Sequence, residues 1–204
     1  MNGHAIVIGV TGEIGAGKET FSRLLIDEMF NQQLHPSRRT MVFSDILKKI
    51  CDAANILPSR ENLQKMPVIL KEAFPGWTLA AAMAKFVEEN LAEVKIVDGV
   101  RWPEDGTMIR GFVRNLLVYV TAPPDTRYQR VKARNQKPGE ADLTWEQFCE
   151  NEMKPTEINI STIGAGADFK IDNSGNLDDY RRQVKEFVDQ KLRPMLEHKE
   201  EAQA

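Results

Sequence analysis

Two cysteines and three histidines are all that 204 residues offer as soft or imidazole ligands. Cys51 and Cys149 stand far apart without metal-ligand spacing, so neither a zinc cluster nor a disulfide framework is expected. Both read as reduced thiols of a cytoplasmic protein. His4, His35 and His198 are isolated from one another and receive no metal or triad role. Long apolar runs are missing too. No stretch is long enough to cross a bilayer, and the N-terminal apolar run is short and leads into glycines rather than a cleavage site. Neither a signal peptide nor a membrane partner is therefore expected. Nor is there a basic excess: Lys and Arg number 27 against 30 Asp and Glu, a net charge of -3. That argues against broad nucleic-acid binding, so any basic site must be local.

What is there suits one buried core. At 42% hydrophobic and 28% charged side chains the chain reads as a single domain over residues 1–204. Apolar, β-branched runs recur at 5–10, 40–44, 94–97, 116–120 and 167–171. Segments of helical period lie between them, at about 18–32, 45–55, 60–73, 78–91, 103–112, 124–135 and 144–153, with a last one at about 177–191. This alternation predicts an α/β fold with a parallel sheet and helices on both faces, where ligands collect beyond the carboxyl ends of the strands. Residues 135–142, polar with Pro-Gly in the middle, read as an exposed loop, and the charged tail from Glu197 as frayed or helical.

The first strand runs straight into Gly12-Glu13-Ile14-Gly15-Ala16-Gly17-Lys18-Glu19-Thr20. Strand, glycine loop, lysine and helix in that order describe a phosphate-binding loop. The glycines let successive backbone N–H groups turn inward on phosphate oxygens, Lys18 adds a positive charge, and the following helix aims its positive end at the same anion. Gly12, Gly15, Ala16, Gly17, Lys18, Glu19 and Thr20 are thus expected to bind the nucleotide.

Other residues fall around that loop. Asp98 closes the third apolar run, where a carboxylate beside a phosphate loop holds magnesium directly or through water, although it serves equally as a turn cap. Arg101, three residues on, offers a planar fork for an acceptor phosphate. Arg127, Arg130 and Arg134 are spaced to form one guanidinium stripe on a helix, either a solvated face or a lid that neutralises transferring charge. Asp45, expected at the end of the second strand, reads either as an acceptor contact or as a helix cap. Arg60 opens a helix beside Glu61 and reads as an acceptor contact or a surface ion pair. The turn Asp172-Asn173-Ser174-Gly175-Asn176 reads as a plain turn or, from its place beside the phosphate loop, as one whose backbone would face a purine ring, and Trp77 and Trp102 are candidates for an acceptor pocket or for packing.

With these pieces in order, residues 4–190 resemble the P-loop nucleoside and nucleotide kinases, a superfamily that includes adenylate, deoxynucleoside monophosphate and dephospho-coenzyme A kinases. Gly12 to Thr20 is similar to the form in which the hydroxyl stands two places after the lysine, and Asp98-Gly99-Val100-Arg101 to an Asp-Gly-x-Pro-Arg signature one residue shortened. The stretches 43–48 and 59–64 look most like the deoxynucleoside monophosphate kinases, whereas 97–101 and 167–175 are also similar to dephospho-coenzyme A kinase.

The resemblance implies a three-layer P-loop NTPase fold: a five-stranded parallel sheet in the order 2-3-1-4-5, a mobile lid at about 124–155 and an acceptor region at about 45–92. It further implies ATP and Mg2+ as cofactors, with Thr20 and Asp98 on the metal. Lys18, Asp98, Arg130 and Arg134 would be catalytic, Asn173, Ser174 and Gly175 nucleotide-binding, and Asp45, Arg60 and Arg101 acceptor-binding. The expected activity is phosphoryl transfer to a nucleoside monophosphate. Dephospho-coenzyme A kinase is the alternative, and a regulatory nucleotide-binding protein without an acceptor is the alternative of another class. Partners are small nucleotides, and the expected state is monomer or homodimer.

Overall fold

The computed structural model describes residues 4–134 and 140–201, apart from the side chains of Arg60 and residues 198–201. Five strands, β1 (Ile6–Thr11), β2 (Arg38–Val42), β3 (Val94–Val100), β4 (Asn115–Thr121) and β5 (Phe169–Asp172), form one sheet in the order β2-β3-β1-β4-β5. Every pairing is parallel. All six residues of β1 are buried, as a central strand covered on both faces requires.

Alternate residues of the strands feed two cores. Ile6, Ile8 and Val10 pack with Ile96 and Val118 against α1 (Lys18–Asn31) and α9 (Leu177–Phe187). Val7, Met41, Val97 and Leu117 belong to the opposite layer with α2 (Phe43–Ala53), α4 (Leu79–Glu89) and α5 (Pro103–Arg110). On the first side Phe187 meets Phe21 and Phe169 edge-on, with ring centroids 5.7 and 5.5 Å apart. Lys95 is the buried cation of β3, and its Nζ donates to Val87 O at 2.7 Å, at the negative end of α4.

Several boundaries differ from the sequence reading. β2 stops at Val42, and Phe43 starts α2 with no intervening loop. Asp45 therefore sits in the first turn of a helix, not at a strand end. Its carboxylate accepts from Val42 N at 3.3 Å and pairs with Lys48, which is the capping arrangement. The third strand extends to Val100 and carries Asp98 within it. β5 begins at Phe169, because Asp168 is drawn off to Leu117 N and Arg110. Helix α3 (Arg60–Ala73) has the expected bounds, opened by Ser59 Oγ accepting from Asn62 N.

The short α8 (Ile160–Ala165) was not foreseen; it lies between α7 (Trp145–Glu152) and β5, after α6 (Pro124–Arg134). The last helix also runs further than expected. It passes through a π-helical turn at Val188–Leu192 into α10 (Arg193–Glu201), and the wider turn keeps Phe187, Val188 and Leu192 all buried. Of the polar loop at 135–142, Asn135 to Gly139 lie outside the described residues. No helix among the described residues is long and apolar enough to cross a membrane.

Candidate functional site

The glycine loop joins β1 to α1 at the carboxyl edge of the sheet, and its carbonyls are all but used up by side chains. Lys18 Nζ donates to Gly12 O at 2.6 Å and Glu13 O at 3.0 Å. Arg127 Nη1 reaches Ile14 O at 3.4 Å, Asn173 Nδ2 donates to Ala16 O at 2.8 Å, and the Tyr180 hydroxyl to Gly17 O at 3.0 Å. Tying carbonyls outward leaves the intervening N–H groups to face a bound anion, which is the physical basis of a phosphate nest. Gly17 caps α1 at a φ of 100°, and a Cβ there would lie 2.5 Å from Asn173 Nδ2, so conformation and space both demand glycine. Thr20 is half-buried in the first turn of α1 and Glu19 beside it is exposed.

A bulge brings Asp98 to the same edge. Val10 pairs with Asp98, but Thr11 pairs with Val100, so Gly99 is skipped at a φ of 90°. The Thr11 hydroxyl locks this register by donating to Val100 O at 2.8 Å. Bulges of this kind re-aim a strand's side chains beside a site. Asp98 Oδ1 is buried with no hydrogen-bond partner among the described residues, and burial raises the Asp98 pKa against the pull of Lys18 and Arg101.

Lys18 titrates low, at about 8, chiefly through burial and then through the nearby Arg101 charge; Asp98, Glu157 and Glu13 act in the opposite sense. Thus one lysine, one arginine and three carboxylates share the electrostatics of the loop. Glu13 accepts from the Tyr119 hydroxyl with one oxygen, while its other oxygen is buried with no hydrogen-bond partner among the described residues. Burial and that carboxylate push Tyr119 up to about 12.

The arginine stripe does not form as one face. Arg127 turns inward, buried, with Nε on Ala122 O at 2.8 Å and both Nη atoms on Glu152 of α7. It fastens the loop, β4 and α7 together. Arg134 is held by Glu140, Nη2 to Oε1 at 2.7 Å and Nε to Oε2 at 3.2 Å. Only Arg130 of the three keeps a buried guanidinium nitrogen, Nη1, without a partner among the described residues. Its charge and that of Asp98 both act on the Tyr180 hydroxyl, in opposite senses.

Arg101 follows β3 and pairs with Glu157, in the turn between α7 and α8. The Arg60 side chain lies outside the described residues. Asn173 spends its amide on the loop, while Ser174 and Gly175 are exposed in the turn beside it. The residues that sequence reasoning missed are Glu13, Tyr119, Glu152, Glu157 and Tyr180. A polar residue in an unremarkable helix or turn carries no local mark of a partner far along the chain.

Comparisons with known proteins bear on the family and the fold. UPF0200 proteins match nearly end to end: that of Thermococcus onnurineus is 29% identical over 192 residues, covering 92% of this chain and 98% of the relative. That of Methanocaldococcus jannaschii is 26% identical over 196 residues, covering 95% and 94%. Among solved structures, shikimate kinase from Bacteroides thetaiotaomicron superposes with a TM-score of 0.57 at 13% identity, covering 90% of this chain and 97% of that one, a likeness of fold. A family model described as AAA domain, AAA_18, matches residues 8–156. The chain therefore belongs to the AAA_18 family of AAA domains, with the fold of a P-loop kinase.

Proposed function

We propose that this protein transfers the γ-phosphoryl group of ATP, with magnesium, to a small phosphorylated acceptor, a deoxynucleoside or nucleoside monophosphate, giving the diphosphate. One observation carries the reading. Two buried polar atoms of opposite charge, Asp98 Oδ1 and Arg130 Nη1, have no hydrogen-bond partner among the described residues, and both charges act on Tyr180, which holds a loop carbonyl. Leaving such atoms unpaired costs stability, and a phosphate with its cation would satisfy both.

In this reading the loop amides from Gly12 to Thr20 and Lys18 hold the donor phosphates. Thr20 and Asp98 would hold magnesium, directly or through water, and the ion would neutralise phosphate charge. Residues at about 45–92, with Arg60, form the acceptor side together with Arg101. Residues at about 124–155 form the lid. An acceptor phosphate oxygen bonds to the γ-phosphorus as the bridge to the β-phosphate breaks, and ADP leaves. Arg130, and Arg134 once Glu140 yields it, offset the negative charge spread over the equatorial oxygens. Asn173 supports the loop beneath, and Ser174 and Gly175 flank the base. Positioning and electrostatics suffice for this chemistry, without a covalent enzyme intermediate.

A second reading, phosphorylation of a hydroxyl as in dephospho-coenzyme A kinase, is favoured by the carboxylates of Asp98 and Glu157 within electrostatic reach of Lys18, either of which could take a hydroxyl proton. An acceptor panel, with ADP formation as the readout, separates the two.

Donor binding should also depend on pH in a defined direction. Since the depressed Lys18 pKa lies below that of the unfolded chain, its cost to folding is fully present below pH 8 and relieved as pH rises above it. Donor phosphates favour the charged form. ADP binding at pH 9 should therefore take up close to one proton, about 0.9 if the pKa returns above 10, and almost none at pH 7. Calorimetry in two buffers of different ionisation enthalpy measures this, and identical apparent enthalpies at pH 9 would contradict it.

A further inference from the structure

Glu157 stands where the functional reading needs an anion. Its side chain is 7% exposed and its Oε1 bonds Arg101 Nη1, while the Thr156 hydroxyl adds a contact at 3.3 Å. The turn that carries it is closed on itself by Glu157 N to Lys154 O at 2.8 Å and Ile160 N to Glu157 O at 3.1 Å. Its carboxylate acts on Lys18 as well as on Arg101. A negative charge is thus bonded to the arginine assigned to the acceptor and lies within electrostatic reach of the lysine assigned to the donor.

A buried carboxylate is costly unless paired, and this one relies on a guanidinium that is itself 38% exposed and open to an outside ligand. We propose that Glu157 is a built-in stand-in for the acceptor's phosphate, holding Arg101 in place and making the site selective for ligands that can displace it. The inference rests on the acceptor role of Arg101.

The selectivity follows from charge and tethering. Glu157 brings one negative charge and two oxygens, whereas a phosphate monoester brings about 1.5 to 2 charges and three acceptor oxygens near neutral pH. Being part of the chain, Glu157 competes at an effective concentration of roughly millimolar. A free carboxylate of similar strength would have to reach that concentration to dislodge it, and a neutral hydroxyl would not dislodge it at all. A phosphorylated acceptor displaces it and takes over Arg101, and the freed carboxylate is repelled from the cleft. Apparent affinity is reduced by the fraction of time Arg101 is occupied.

The test fills the donor loop with ADP and magnesium and titrates inorganic phosphate by calorimetry. Glu157→Gln keeps size and a hydrogen-bond acceptor but removes the charge, and should bind phosphate about tenfold tighter than the wild type. The gain should vanish when Arg101→Gln is added. Glu157→Asp withdraws the charge by one methylene and should fall between, so the result does not depend on one variant folding. Phosphate binding equal to or weaker than wild type in both Glu157 variants would overturn the proposal and make Glu157 a support for Arg101. Because no turnover is read, a wild type that phosphorylates no monophosphate would sink the functional reading while leaving tighter phosphate binding to speak for Glu157.

Discussion

Lys18→Ala should lose phosphoryl transfer by at least about a thousandfold while the fold persists. Among the described residues the lysine is the only side chain bonded to the loop's first two carbonyls, Gly12 O and Glu13 O, at the point where donor charge would sit. Removing it takes away a positive charge that the site pays to keep, as its low pKa of about 8 records. The loop itself should survive. Asn173, Tyr180 and Arg127 still tie down Ala16, Gly17 and Ile14, and Thr11 still fixes the neighbouring bulge. The check is a pair of measurements on one preparation: ADP formation, and the midpoint of thermal unfolding without nucleotide. A midpoint within a few degrees of wild type with activity gone is the expected pair, since the depressed pKa of Lys18 means that its charge costs folding stability, which offsets the hydrogen bonds lost. Activity within tenfold of wild type would remove Lys18 from the chemistry.

Arg130→Ala carries the second large effect, a fall in kcat of about a hundredfold to a thousandfold with little change in stability. The reason is the contrast within α6. Arg127 is wholly engaged by Glu152, Ala122 O and Ile14 O, and its loss would leave the Glu152 carboxylate without a partner, a cost of about 3 to 5 kcal/mol in stability. Arg130 instead holds a buried nitrogen in reserve. A group left unbonded in the empty protein and used with substrate is expected to affect the transition state more than the ground state, so KM for the donor should move much less than kcat. Equal losses in stability for Ala at 127 and 130, with kcat preserved at 130, would contradict this division of labour.

Local features were legible in the sequence because their causes are local. Gly12 to Lys18 encodes its own curvature, the apolar runs mark the five strands, and Ser59 marks the start of α3 through a bond three residues long. Asp45 shows the limit of that logic. The same carboxylate reads as a site residue or as a cap, and the absence of any loop between β2 and α2 makes it a cap.

The clamps around the loop were not legible. Asn173 and Tyr180 lie 157 and 163 residues from the carbonyls they hold, and only the sheet order brings β5 and α9 beside β1. Glu152 and Glu157 sit in a charged stretch that looks like ordinary surface, and nothing in it announces that two arginines turn to meet them. Helix spacing put Arg127 on a stripe with Arg130 and Arg134, yet spacing is blind to which members find carboxylates. The missed α8 is short and rich in β-branched residues and glycine, so its helical period is weak.

The most direct measurement is ATP turnover by the wild-type protein, with magnesium, against a panel of nucleoside and deoxynucleoside monophosphates and dephospho-coenzyme A, counting ADP and identifying the phosphorylated product. The account predicts ADP formation that requires an acceptor, with one or more monophosphates converted to diphosphates. Slow hydrolysis that no acceptor stimulates, or activity on dephospho-coenzyme A with silence on every monophosphate, would contradict it.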